Sequence, residues 1–408
     1  MRRIRVVCWI VLVALSPAVG AEFPSFRGQV IDPRVGEVCY AVAAADVNGD
    51  GKLDVVAVAS DAVVWYENPT WARHDAIRGV TDRDNVCLQP LDVDGDGRVD
   101  FALGAAWRPT DTKAGGTLQL LTRTGAADGA WRVVPLGSEP TLHRVRWGDV
   151  LGSGRPQLVV APLQGRDTKG PDWGQGAGAR ITVRSIPEDP FAAPWPVEVA
   201  DDTLHAVHNL QVVDLDGDGR QDILAAAWEG VFVLRRGEGG RWSRARLGSG
   251  NQDTRPNRGS SEVKLGRLRD GSRYIATIEP WHGSQVVVYT PPKPGGDLWD
   301  RQVVDEPVRW GHAVWSADLD GDGDDEIVVG QRDPNVDPAR TPKGPGVLVY
   351  DPRPGPGPIA FDRRVVDDGG VATEDLVVAD LDGDGRPDIV AGGRATRNVK
   401  IYWNLGPK

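Results

Sequence analysis

Apolar residues in this chain come in short runs, and the runs come in pairs across an acidic loop. The clearest pair is Val212-Val213 and Ile223-Leu224-Ala225-Ala226, separated by a stretch of alternating aspartate and glycine. Apolar runs this short, bounded by glycine and aspartate, predict strands. A third strand follows each pair, at residues 63–66, 118–121, 231–234, 286–289, 347–350 and 399–402. A fourth shows polar–apolar alternation, as in residues 131–134, 242–246 and 361–366. The unit is therefore strand, acidic loop, strand, connection, strand, turn, strand.

Oxygen-bearing side chains fall at positions 1, 3, 5 and 9 of the loop: Asp214, Asp216, Asp218 and Asp222. Carboxylates this crowded repel one another unless a cation lies among them. Calcium, oxygen-seeking and flexible in coordination, suits them best, whereas magnesium demands stricter geometry and keeps more of its water. The same phrase recurs with Asp46, Asn48, Asp50 and Asp54, and with Asp92, Asp94, Asp96 and Asp100. It returns with Asp318, Asp320, Asp322 and Glu326, and with Asp380, Asp382, Asp384 and Asp388. Two further copies, starting at Asp149 and Arg267, keep the frame and lose the ligands. Seven repeats and about five structural calcium sites are expected. Their first positions lie 46, 57, 65, 53, 51 and 62 residues apart, close to the periods of propeller blades.

On these loops the chain resembles the FG-GAP/VCBS repeats of integrin-α-like propellers. The resemblance implies an all-β, seven-bladed β-propeller with calcium-binding loops, one domain over residues 22–408. The last repeat stops after its third strand, and residues 26–31 resemble the fourth strand at 361–366. The ring is therefore expected to be closed by the N-terminal strand, which removes a pairing-prone edge.

The start of the chain changes the expected address. Arg2, Arg3 and Arg5, an apolar run from Val6 to Leu15, and small residues before Ala21 predict a signal peptide over residues 1–21. That run is too short to span a bilayer. An exported protein is expected, periplasmic or extracellular, with no transmembrane segment after cleavage. The formal charge of −11 becomes −14 without the three leader arginines, and five calcium ions would bring it to about −4. The acidity is thus mostly metal ligand, and nothing suggests nucleic acid. Cys39 and Cys87 are expected as buried free thiols, with a disulfide between the first two blades as the alternative.

Six residues before each loop the repeats carry Tyr40, Val86, His143, His208, Ser261, His312 and Glu374. One residue later they carry Ala41, Cys87, Arg144, Asn209, Glu262, Ala313 and Asp375. Three histidines thus share one place in the repeat, and in a propeller those strand starts converge on the central channel, opposite the acidic loops. The connections between second and third strands open on the same face, bringing Trp107, Trp228, Trp281, His282, Arg332 and Arg394. One reading is a water-filled channel that tolerates any polar residue. The other is a pocket for a sugar-like ligand stacked on indoles, with zinc or another transition metal on His143, His208 and His312.

The histidine-bearing strand starts, Glu279-Pro280-Trp281-His282 and Gly311-His312-Ala313-Val314-Trp315 are similar to the propeller portion of aldos-2-ulose dehydratase, a sugar lyase. This resemblance implies water elimination from a keto- or anhydro-sugar. It places His143, His208 and His312 around a metal or carbonyl, with His282 or Glu374 as base. The competing reading is a non-catalytic adhesion module that binds a carbohydrate or a protein partner through the same face. A polysaccharide lyase of the calcium-propeller type, needing a longer groove, is the third. His74 and His205 fall outside the equivalent positions and read as surface or packing residues.

Overall fold

The computed structural model describes residues 23–407, apart from 124–128, 193, 307, 338, 340, 341 and 354. The signal-peptide expectation for residues 1–21 lies outside the described residues. Strands among the described residues form seven antiparallel sheets of four. The first is Cys39–Ala45, Asp54–Ala59, Ala62–Glu67 and Ala72–Arg78, paired in that order. Five more follow the same pattern along the chain. The seventh is built from Thr373–Ala379, Asp388–Gly393 and Val399–Asn404. Its outer strand is Phe26–Asp32, antiparallel to Val399–Asn404 with Arg27 opposite Trp403.

Burial follows position within the blade. The second strands Asp54–Ala59, Asp100–Ala105 and Asp388–Gly393 are buried at every residue. Neighbouring blades cover both their faces, which is why they read as continuous apolar runs. The fourth strands lie at the rim, and Ala360–Asp368 is mostly exposed. Packing is between blades: Val42, Val55 and Tyr66 of the first share one cluster with Leu381, Ile401 and Trp403 of the seventh. Cys39 and Cys87 are both buried and unbonded.

The acidic loops turn on glycines held at φ 80° (Gly217) and 86° (Gly219), where a side chain would be strained. Asp214 accepts the amides of both, at 2.6 and 3.0 Å. The ninth position also closes the loop: Asp100 accepts Val93 N–H at 3.1 Å and Glu326 accepts Leu319 N–H at 2.6 Å. In the third repeat Gln157 accepts instead from Leu151 N–H, one position further along, at 2.9 Å, so the loop still closes without the carboxylate. In the fifth, Arg269 reaches into the next repeat's loop and pairs with Asp322 at 3.0 Å.

Candidate functional site

Four of the seven innermost strands break register at one shared place. Pairing skips between Cys39 and Ala41, Leu142 and Arg144, Gly311 and Ala313, and Thr373 and Asp375. The residues skipped are Tyr40, His143, His312 and Glu374. A bulge re-aims a side chain that strand alternation would otherwise send the other way. It lets His143 and its neighbour Arg144 line the same cavity, at the end of the channel away from the acidic loops.

That cavity holds about 160 Å³. Its floor is a knot of four imidazoles. The ring centroid of His208 is 4.7 Å from that of His143, 4.4 Å from that of His282 and 4.9 Å from that of His312. Three of the rings hold Nδ1 against an acceptor. His143 Nδ1 meets the His208 carbonyl at 2.8 Å, His312 Nδ1 the Glu374 carbonyl at 2.7 Å, and His208 Nδ1 the Glu262 carboxylate at 2.7 Å. Each neutral ring must therefore carry its proton on Nδ1 and leave Nε2 bare. The fourth ring differs: His282 Nε2 lies 2.7 Å from His208 Nε2, while its buried Nδ1 has no partner. Ligand atoms of His208, His282 and His312 all lie within 4.8 Å of one another.

His282 belongs to a connection rather than a strand, and its backbone is left-handed at φ 52°. The turn is anchored by Glu279, whose buried carboxylate accepts Tyr289 O–H at 2.7 Å, Ser260 O–H at 3.1 Å and Arg301 Nε–H at 2.8 Å. Strain of this kind, held by over-determined surroundings, gathers at ligand sites.

Burial pushes His143, His282 and His312 well below the ordinary imidazole range, and the neighbouring arginines and rings push the same way. Burial also lowers His208, against the opposing pull of Glu262. Burial alone would raise Glu262, but His208, Arg144 and Asn209 bring its carboxyl below the usual value. The four rings are thus kept neutral at physiological pH, the form that coordinates metals and accepts protons.

Indoles form the walls: Trp281 stacks on His282 at 3.9 Å, Trp107 sits 4.8 Å from His143 and Trp310 4.8 Å from His282. Arg394 donates to Glu374 Oε1, and Arg332 lies 3.6 Å from Oε2 while stacking over Trp310. The structure thus brings His143, His208, His282, His312 and Glu374 to one cavity, with Trp107, Trp281, Arg332 and Arg394. It places Trp228 and Glu229 elsewhere, in a separate hollow with Arg244 and Arg258. His205 pairs with Glu229 at 2.7 Å and His74 stacks on Trp65. Trp310 escaped the sequence reading because it stands just before an innermost strand, where no repeat position was compared.

In four of the five acidic loops three acidic ligand atoms converge within 4.8 Å: Asp92–Asp94–Asp96, Asp214–Asp216–Asp218, Asp318–Asp320–Glu326 and Asp380–Asp382–Asp388. The Asp46 loop carries Asn48 at the third position, and Asp46 accepts Gly49 and Gly51 N–H at 2.8 Å as its counterparts do in the other loops. Glu326 Oε1 and Asp320 Oδ2 are buried without a partner. Burial first, and neighbouring carboxylates second, push Asp320 up to about 6 and Glu326 to about 10. Orphaned oxygens this perturbed fit a cation.

A family model for the aldos-2-ulose dehydratase β-propeller domain matches residues 115–292, and one for the FG-GAP-like repeat matches residues 46–103. Aldos-2-ulose dehydratase of Phanerodontia chrysosporium is 32% identical over 237 residues, 53% of this chain and 25% of that protein. The chain is related to the aldos-2-ulose dehydratase propeller. It spans about a quarter of that dehydratase's length. The match to the dehydratase propeller domain contains His143, His208 and His282 and stops short of His312 and Glu374. Solved structures agree in fold alone. An Agrocybe aegerita lectin recognising non-reducing terminal N-acetylglucosamine gives a TM-score of 0.53 at 15% identity, over 89% of this chain and 98% of the lectin. BBS1N in complex with ARL6DN gives 0.55 at 12%, over 94% and 97%. No helix among the described residues is long and apolar enough to cross a membrane.

Proposed function

We propose that the channel mouth is a lyase site, eliminating water from a small keto- or anhydro-sugar, in an exported propeller stabilised by calcium. The reading rests on the convergence of His208, His282 and His312 with neutral rings, two of them held through Nδ1. Those three residues would hold a zinc or similar ion, whose chemistry there is to polarise a carbonyl. His143 is the base. Its Nδ1–H is given to the His208 carbonyl, so its Nε2 can take the proton α to the sugar carbonyl. The C–H pair becomes the new C=C bond, the β C–O bond breaks, and the His143 proton leaves with the hydroxyl as water. Arg332 and Arg394 supply positive charge as the enolate oxygen develops. Trp107 and Trp281 hold the sugar's apolar face, and a cavity of about 160 Å³ suits one ring rather than a polymer.

Indole walls would serve a non-catalytic carbohydrate-binding module equally well, and metal content separates the two. Elemental analysis of the purified chain should find close to one zinc, manganese or iron alongside calcium. Calcium alone would favour binding.

Calcium in the loops and the outer strand of the last blade belong to the same proposal, as what holds the ring together. Deleting residues 22–36 removes Phe26–Asp32 from Val399–Asn404 and uncovers an edge. The truncated protein should melt far below the intact one and tend to aggregate. Equal melting of the two would remove the closing role from this strand.

A further inference from the structure

A second cavity occupies the other half of the channel, toward the acidic loops, with a volume of about 320 Å³. Its lining comes from residues two to five positions before the loops, and the polar ones, among them Arg144, Arg146, Lys264, Asp375 and Gln211, stand five or three before. Arg144 is the one residue it shares with the histidine cavity. We propose that this cavity binds a small doubly charged oxyanion, independently of any chemistry at the histidines.

Three cations line it against Asp375, and the buried Glu262 carboxylate beside them brings the local balance to +1. Arg144 is 4% exposed, and its Nη2 is buried without a hydrogen bond. Arg146 gives one Nη2–H to the Asn209 side chain at 2.9 Å and one Nη1–H to the Val145 carbonyl at 2.8 Å, both neutral, which leaves three of its five N–H donors for an anion. Lys264 is 7% exposed, and its ammonium lies 4.2 Å from the centroid of the Trp315 ring. The nearby acids are engaged: Asp375 accepts Val42 N–H at 3.1 Å, and Glu262 holds His208 and Asn209. Three buried cations against two carboxylates leave positive charge uncompensated, which is costly, and a bound anion removes that cost. Burial first, and Arg146 second, push Lys264 down to about 7, as expected where positive charge is in excess. Two guanidiniums and an ammonium match the several acceptor oxygens of a dianion, which arginine binds in fork geometry.

Calorimetric titration of the calcium-loaded protein with sulfate, against chloride at equal ionic strength, tests this. Saturable binding of one sulfate per chain is expected. Lys264→Met and Arg146→Gln should each weaken it at least tenfold while calcium content stays unchanged. Lys264→Met should also melt higher than the parent protein in chloride, because it keeps the side chain's volume and removes a buried charge. If one variant fails to fold, the other carries the test. Absence of saturable sulfate binding, or unchanged affinity in the folded variants, overturns the proposal.

Discussion

His143→Asn will lower elimination by roughly a hundredfold or more, the usual contribution of a general base, and leave metal content unchanged. His312→Asn will lower elimination as far by a different route, through loss of the bound transition metal. Asparagine is chosen because its side-chain N–H can still donate where Nδ1 donates now, to the carbonyls of His208 and Glu374. In a water-filled channel alanine would cost within about half a kcal/mol. Instead His143 is 5% exposed and His312 4%. Alanine there would orphan a buried carbonyl at about 1–3 kcal/mol, confusing loss of fold with loss of chemistry. Paired thermal melts and metal analysis separate the outcomes. If both variants retain wild-type turnover, the histidines are structural. If His143→Asn loses its metal as well, His143 is a ligand and the base lies elsewhere.

Chelation is expected to lower the melting temperature by about 10 °C or more. Each occupied site at a hundredfold excess of calcium over its Kd contributes about 2.7 kcal/mol, and four loops converge their carboxylates. The effect should depend on pH with a definite sign. Burial pushes Asp100, Asp320 and Asp388 up to about 6, so the calcium-free fold binds protons that the unfolded chain releases. The calcium-free protein therefore gains stability as pH falls through about 6 toward the ordinary aspartate value, while protons compete calcium off the loaded form. The two melting curves should lie far apart at pH 8 and draw together by pH 5. Coincident melts at pH 8, with removal of the ion confirmed, would refute structural calcium.

The propeller was legible because its signal repeats. One acidic loop is ambiguous, but seven loop starts from Asp46 to Asp380, 46 to 65 residues apart, are not. Comparing one repeat position across blades also found His143, His208 and His312, since symmetry sends equivalent positions to the same depth of the channel. Two features escaped for physical reasons. Register breaks at Tyr40, His143, His312 and Glu374 depend on how each strand meets its partner. Neither propensity nor alternation within a strand encodes them. Convergence of His282 on His208 and His312 needs a left-handed backbone on a connection anchored by Glu279, a tertiary constraint. Arg146 and Lys264, by contrast, were within reach. They stand three positions before their loops, on the same strand face as Arg144 and Glu262, and alternation would have grouped them.

The lyase reading is tested most directly by ultraviolet absorbance on incubating the wild-type protein with a panel of 3-keto and 1,5-anhydro sugars. An enone band that grows with enzyme concentration on at least one of them, and is abolished in His143→Asn, is the predicted result. A flat trace across the panel from calcium-loaded protein with its transition metal in place would contradict it.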